Sequence, residues 1–393
     1  MTDLYIISAC RTPIGSFGGA LKDKTAVDLG VIAAEEAIAR SGVAPKHVDE
    51  VFFGCVLAAG AGQNVARQVG LGAGLPVSVP ATTVNMVCGS GMKAIVEAAR
   101  AIVAGDAEIV LAGGTESMSR AAYVSDATRW GARMGDATLV DSMIRDGLTD
   151  AFKDYHMGVT AENVADKWGI TREQMDEIAL ASQEKAATAI ASGRFADEIA
   201  PVRVLVKRDE VVVDTDEYPR ASSSEALAKL RPAFKPDGRV TAGNSSGIND
   251  GAAALVVASG DAVARHHLRP MAKLIGWGQS GVDPAIMGVG PIDATEKALA
   301  RAGLTTADMD LVEANEAFAA QAAAVVNDLH LDGAKVNVNG GAIALGHPIG
   351  SSGARIVVTL LHELAKRPNA HHGLATLCVG GGMGVATIYE KCE

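Results

Sequence analysis

An internal echo is the feature that most narrows what this chain can fold into. Ala37-Ile38-Ala39-Arg40-Ser41-Gly42 returns 261 positions later as Ala298-Leu299-Ala300-Arg301-Ala302-Gly303, and Val48-Asp49 returns at the same offset as Met309-Asp310. A chain that repeats itself over such a span builds two similar halves that pack about a pseudo-twofold axis. The offset carries Cys88, in Val87-Cys88-Gly89-Ser90-Gly91, to position 349, two residues beyond His347 in Gly346-His347-Pro348-Ile349-Gly350. Duplication therefore offers a way to bring a thiol from one half against an imidazole from the other, the pairing that makes an activated nucleophile.

The pattern within each half points to an α/β fold. Met92, Ile95, Val96, Ala99, Ile102 and Val103 recur at helical spacing, Gly105 supplies a left-handed stop, and Glu108 to Ala112 follows as a buried strand. Ile356, Val357, Leu360, Leu361 and Leu364 followed by Leu374 to Val379 repeat that order, and both strands run into glycines, Gly113-Gly114 and Gly380-Gly381-Gly382. Alternating strands and helices predict mostly parallel sheets covered by helices. The copies then part. Val385 to Tyr389 finishes the second half at once, whereas Ala252 to Val257 in the first comes more than a hundred residues after Gly114. We therefore expect a first half of residues 1–116 plus 245–268, an inserted loop domain of 117–244, and a second half of 269–393. The insertion carries helices such as Arg172 to Ser192, and near strand ends it would serve as a substrate-binding lid.

Composition excludes several classes. At 393 residues the chain exceeds one comfortable core. A net charge of −11 and 4% aromatic residues disfavour nucleic-acid and anionic-membrane surfaces, while leaving room for a local patch that takes an anionic small ligand. Five cysteines, Cys10, Cys55, Cys88, Cys378 and Cys392, lack zinc-site spacing and read as reduced thiols. The strand-like Leu4 to Ser8 comes without a basic leader, so the expectation is a cytoplasmic protein with no membrane span.

Of these residues, Cys88 has the best chemical setting. It stands just before a helix expected to begin near Ser90, and a helix N-terminus favours an anion. That effect is worth about 0.3–1 kcal/mol, up to roughly 2 when partly buried; at about 1.36 kcal/mol per pKa unit it lowers a thiol by no more than roughly 1.5 units. A base is needed, and His347 is the best placed. Cys378 precedes a glycine run whose unencumbered N–H groups would suit an oxyanion hole. Asn315 and Glu316 are polar residues amid alanines in a strand-to-helix turn of the second half. Taken alone, each has a plain structural reading: a lone Cys is most often a small buried hydrophobe. Cys10, Cys55 and Cys392 read that way, His371-His372 reads as a solvated loop, and Gly15-Ser16-Phe17-Gly18-Gly19 lacks a dinucleotide fingerprint.

Assembled, these motifs make the chain strongly similar to the thiolases, and among them to the biosynthetic acetyl-CoA acetyltransferases. The likeness runs nearly end to end, through Arg11-Thr12-Pro13-Ile14-Gly15, the Cys88 turn, Gly113 to Ser119, Tyr155-His156-Met157-Gly158, Thr160 to Asn163 and Leu230 to Phe234. Its most specific parts are Asn315-Glu316-Ala317-Phe318, the His347 turn and Cys378-Val379-Gly380-Gly381-Gly382. The resemblance implies a five-layer αβαβα core of two halves with an inserted loop domain, and usually a homotetramer. It implies that Cys88 is acetylated by acetyl-CoA with His347 as base, and that Cys378 then deprotonates a second acetyl-CoA for a reversible Claisen condensation giving acetoacetyl-CoA and CoA. One oxyanion site would use His347 and a water held by Asn315, the other the N–H groups of Cys88 and Gly380. Leu148, His156, Met157, Arg220, Phe234, Ala242, Ser246, Met287, Ala317 and Phe318 would line the CoA path, with Met157 and Phe318 walling the acyl pocket. Coenzyme A thioesters would be substrates, with no resident cofactor and no metal.

Two departures stand out: Met86 where many relatives have Lys, and Asn244-Ser245-Ser246-Gly247 in place of the commoner Asn-Ala-Ser-Gly. A broad-range 3-ketoacyl-CoA thiolase is the nearest alternative. A ketoacyl synthase would want a second histidine where Cys378 stands, and a non-catalytic lipid-binding or scaffold protein would have no use for two cysteines in glycine turns.

Overall fold

A computed structural model describes residues 2–392. The first half runs β1 (Leu4–Arg11), β2 (Gly15–Ser16), α1 (Ala26–Ser41), β3 (Glu50–Gly54), α2 (Val65–Gly72), β4 (Ala81–Val84), α3 (Ser90–Ala104) and β5 (Ile109–Ser117). Then come β6 (Tyr123–Val124), β7 (Val140–Asp141), α4 (Met157–Trp168), α5 (Arg172–Ala191), β8 (Val202–Val206), β9 (Asp209–Val213) and α6 (Ser224–Ala228). The chain returns through β10 (Asn249–Ser259) and α7 (Gly260–His266). The second half is β11 (Ala272–Gly281), α8 (Gly290–Ala302), β12 (Leu311–Ala314), α9 (Ala319–Asp328), α10 (Ala342–Leu345), α11 (Ile349–Lys366), β13 (His372–Val379) and β14 (Met383–Lys391).

The echo seen in sequence is an echo in backbone. Helix α1 ends on Gly42 at φ 69° and α8 ends on Gly303 at φ 70°, left-handed positions that favour glycine because it has no Cβ. The sheet of the first half has the order β1-β10-β5-β3-β4 and that of the second β11-β14-β13-β12. A two-residue antiparallel pairing, Tyr5 with Lys273 and Ile6 with Ala272, joins them at β1 and β11. Helices α3 and α11 lie between the sheets, in one apolar core that takes Ile95 and Ile102 from α3, Ile356 and Leu360 from α11, Leu255 from β10 and Leu377 from β13. The outer faces are covered by α1 and α2 on one side, with Leu29, Ala33 and Val69 buried, and by α8 on the other, with Ala294 and Ala298 buried. Helix, sheet, helix, sheet, helix gives the five expected layers.

The sheets are not mostly parallel. Only β3 with β4, β3 with β5 and β12 with β13 run parallel; β1, β5 and β14 meet their other neighbours antiparallel. The cause is connectivity: β13 and β14 are joined by the tight turn Gly380–Gly382, and a turn that short permits only an antiparallel pair. Nor does β5 stop at Gly113-Gly114. It continues to Ser117, so those glycines lie inside the strand.

The segment after β5 spans both halves: its helix α4 packs on the second, while Val202 and Val204 of β8 are buried in the core of the first. Ala161 and Val164 of α4 are buried against Ala320 and Ala324 of α9 and against Met287. Two small hairpins, β6–β7 and β8–β9, project from it. Among the described residues no helix is long and apolar enough to cross a membrane.

Candidate active site

Cys88 sits in the turn between β4 and α3, held by a strained backbone. Val87, a β-branched residue, has φ 44°, a left-handed conformation that costs about 1–3 kcal/mol. The turn is fixed by the Gly89 N–H donating to Met86 O (2.9 Å), the Met86 N–H donating to Ser90 Oγ (2.9 Å) and the Ser90 hydroxyl donating to Val87 O (2.6 Å). A side chain at Gly89 would lie 2.8 Å from Val379 Cγ2, so only glycine lets the turn approach β13. Burial pushes the Cys88 thiol up to about 11, while the N–H groups of Gly380 and of Cys88 itself pull the other way. Those donors favour negative charge at and around the sulfur.

His347 is prepared differently. Its N–H donates to Asn249 Oδ1 (2.9 Å), and the preceding Gly346, at φ 106°, leaves no room for a Cβ beside the Asn249 side chain. Its Nδ1 lies 2.6 Å from Ser352 Oγ, and the Ser352 hydroxyl donates to Pro348 O at 2.9 Å. With that one proton committed to the carbonyl, Ser352 can only accept from the ring, so Nδ1 carries the hydrogen and Nε2 keeps its lone pair. Nε2 has no hydrogen-bond partner among the described residues. Burial, with the positive charge of Arg355 second, holds the imidazole down to about 3. His347 is thus a neutral base whose free nitrogen is the one Ser352 does not claim.

Cys378 ends β13, fully buried among Met157, Phe318 and Ile343, and close enough to Cys88 that a charge on one is felt by the other. Burial and that neighbour push its thiol far above the ordinary range. Gly381 and Gly382, at φ 84° and 83°, turn the chain back into β14 and leave Gly380 on the same cavity wall as Cys88. Asn315 follows β12; its backbone N–H donates to Thr376 O (3.0 Å), while its buried amide has neither nitrogen nor oxygen bonded within the protein. Glu316 does different work. It accepts from Ser182 Oγ (2.7 Å) and Asn337 Nδ2 (2.8 Å), tying the turn to α5.

Cys88, His347 and Gly380 line one cavity of about 450 Å³, which opens between the two halves and the inserted segment. Cys378 and Asn315 are not among its lining residues. Nine of the ten residues expected along the CoA path line it: Leu148, His156, Met157, Phe234, Ala242, Ser246, Met287, Ala317 and Phe318. Arg220 does not. Its guanidinium instead stacks over Tyr218 (5.1 Å) and donates to Ala242 O (3.1 Å), so it braces two residues of the wall. His156 stacks on Phe234 at 4.6 Å, and Phe234 meets Phe318 edge to face at 6.0 Å, making a stiff aromatic wall. Burial lowers the His156 pKa, and its Nδ1 accepts from the Gly158 N–H (3.0 Å). Sequence reasoning missed Ser16, Phe17, Met118, Tyr218, Ile248 and Ile349 on the wall, and Ser352 behind the base. The signal for Ser352 was its place, five residues past His347 on the first turns of a helix.

With this geometry in hand, comparison with known proteins is decisive about family. The thiolase N-terminal domain model matches residues 4–261 and the thiolase C-terminal domain model residues 268–391. The acetyl-CoA acetyltransferase of Pseudomonas aeruginosa is 56% identical over 393 residues, and that of Escherichia coli K12 55% identical over 393, each covering all of both chains. Among solved structures, the Bacillus anthracis acetyl-CoA acetyltransferase superposes with a TM-score of 0.97 at 47% identity, covering 100% of this chain and 99% of that one. Human mitochondrial 3-ketoacyl-CoA thiolase superposes at 0.96 with 46% identity and the same coverage. The chain belongs to the thiolase family.

Proposed function

We propose that this member of the thiolase family is an acetyl-CoA C-acetyltransferase, condensing two acetyl-CoA molecules reversibly to acetoacetyl-CoA and CoA through an acetyl-Cys88 intermediate. One observation carries the reading: the Cys88 thiol shares a cavity with the Gly380 backbone and with an imidazole whose Nε2 has no hydrogen-bond partner among the described residues.

Because burial disfavours both the thiolate and the imidazolium, the pair rests neutral, and proton transfer accompanies attack. His347 Nε2 takes the Cys88 proton as sulfur bonds to the thioester carbonyl, whose oxygen is met by the N–H groups of Cys88 and Gly380. As the tetrahedral centre collapses, CoA leaves as its thiolate and receives a proton from Cys378. The enzyme then holds acetyl-Cys88, an imidazolium and a Cys378 thiolate. That thiolate, destabilised by burial, is a strong base suited to the weakly acidic methyl group of the second acetyl-CoA. The enolate oxygen is held by the imidazolium and by the Asn315 site while its carbon attacks acetyl-Cys88. Collapse releases the Cys88 thiolate, which recovers its proton from His347, and Cys378 keeps the one taken from carbon. Every group is then restored.

On this reading residues 117–244 form the CoA-binding insertion on a core of 1–116 with 245–268 and of 269–393. The protein works as a cytoplasmic homotetramer and uses no resident cofactor. Mass spectrometry of the intact protein after incubation with acetyl-CoA tests it: one acetyl group should appear on the Cys88 peptide and vanish on adding CoA. A C88S protein that still consumes acetoacetyl-CoA at the wild-type rate would end the reading. Relative rates on short and longer 3-ketoacyl-CoAs separate it from the broad-range thiolase.

A further inference from the structure

The nucleophile comes from the first half and the base from the second, so something must hold two turns from distant parts of the chain in register. The Gly350 carbonyl, three residues past His347, sits in a notch made by three glycines of the first half. A Cβ at Gly54 would lie 2.7 Å from it, one at Gly91 3.1 Å, and one at Gly114 closer still. Below the notch stands Glu116, fully buried near the end of β5. Its Oε2 accepts from Gly350 N (2.9 Å) and Val56 N (3.1 Å), and its Oε1 from Leu57 N (3.1 Å), with the Cys55 thiol donating at 3.7 Å. A side chain on Gly350 would lie 2.6 Å from Oε2.

The groups Glu116 gathers belong to the site. Gly350 continues the His347 turn, and Ile349 lines the cavity. Leu57 packs with Ile349, Met118 and Met143, and Cys88 packs against that cluster. A lone buried carboxylate is costly, and burial pushes this one up to about 7 against the pull of its donors. A glutamine of the same shape would turn an N–H₂ group toward either the Gly350 and Val56 N–H groups or the Leu57 N–H and the Cys55 thiol, so one side of the clasp is lost whichever way the amide is set.

We propose that Glu116 is a positioning residue for the transfer reaction, clasping the His347 turn of one half to the loop beneath Cys88 in the other. This rests on the assignment of Cys88 and His347 as nucleophile and base. In the full-length E116Q protein the rate of Cys88 acetylation by acetyl-CoA falls about 10- to 100-fold, as misplacement on the ångström scale does. The acetyl-CoA concentration at half-maximal rate stays close to wild type, because the CoA path is untouched. The pH profile of Cys88 alkylation by iodoacetamide moves to higher pH as base assistance is lost, a change that simple loosening of the fold does not produce. An E116Q protein with the wild-type acetylation rate and alkylation profile overturns the proposal. A wild-type protein that never acetylates would end the nucleophile assignment instead, and the alkylation profile would still report on the clasp.

Should E116Q fail to fold, the wild-type protein supplies the measurement. The titratable groups that interact with Glu116 are the Cys55 and Cys88 thiols. Amide exchange at Val56, Leu57 and Gly350 is followed from pH 8 to pH 5, where protonation weakens their common acceptor. Joint loss of protection, with Cys88 alkylation falling more steeply than thiolate population alone predicts, supports the clasp. Protection at all three that persists to pH 5 overturns it.

Discussion

Replacing Ser352 by alanine isolates the tautomer argument from everything else at the site. The side chain is fully buried and does not line the cavity; among the described residues its hydroxyl meets only His347 Nδ1, at 2.6 Å, and Pro348 O, at 2.9 Å. Without it the Nδ1–H is left buried with no acceptor, an arrangement that costs about 1–3 kcal/mol. The imidazole can leave that arrangement by moving its proton to Nε2, the nitrogen that no described group claims. That tautomer has no lone pair for the Cys88 thiol. If the reactive tautomer must be regained at each turnover, the same 1–3 kcal/mol is lost from catalysis, and at about 1.36 kcal/mol per decade acetylation slows roughly 5- to 150-fold. The assay is rapid quenching with acetyl-CoA followed by intact mass, alongside ¹⁵N shifts of selectively labelled histidine, which distinguish the tautomers. S352A should acetylate slowly and show protonated Nε2. A variant acetylating at the wild-type rate, with Nδ1 still protonated, refutes the argument.

Three further outcomes follow from the same geometry. C378A should still form acetyl-Cys88, since a CoA thiolate can leave without a proton, but should lose condensation by about 10²–10⁴-fold, measured as acetoacetyl-CoA formation; condensation at the wild-type rate would remove Cys378 from the carbon-acid step. His347 titrates near 6.5 unfolded and about 3 folded, so below pH 6.5 the unfolded chain takes a proton that the folded one refuses, and stability falls as pH drops toward 3. Thermal melting of H347Q should therefore decline less than wild type over that window, and parallel curves would refute the depressed value. G114A puts a methyl group onto the Gly350 carbonyl, an overpacking worth about 1–3 kcal/mol or more; calorimetry should show a lower Tm, and an unchanged one would contradict the close approach.

The candidate reactive residues stand out in the sequence because each lies in a turn that its neighbours define by composition. Cys88 precedes a helix starting at Ser90, as expected, and Cys378 precedes the turn at Gly381 and Gly382. The five layers followed from the duplication together with the family likeness. What stayed hidden depends on contacts across the fold. Glu116 looks in sequence like any acidic residue after a strand, and its meaning appears only when Gly350 arrives from 234 positions away. Cys55, read as incidental, turns out to donate to the same carboxylate. The glycines at 113 and 114 were read as a strand end; they persist inside β5 because a neighbouring backbone needs the space. Arg220, placed in the CoA path by likeness, does not line the cavity itself; its guanidinium stacks on Tyr218, which does.

The division of the site between two halves also bears on how the chain could be cut. The connection between α7 and β11, residues 267–271, is the single covalent passage from one half to the other after β10, and the sheets meet there through only two residue pairs. Neither fragment would own a complete set of reacting groups. Two polypeptides divided at this point would regain acetyl transfer only on reassembly, through the shared α3–α11 layer, which would make transfer itself a direct gauge of fragment association.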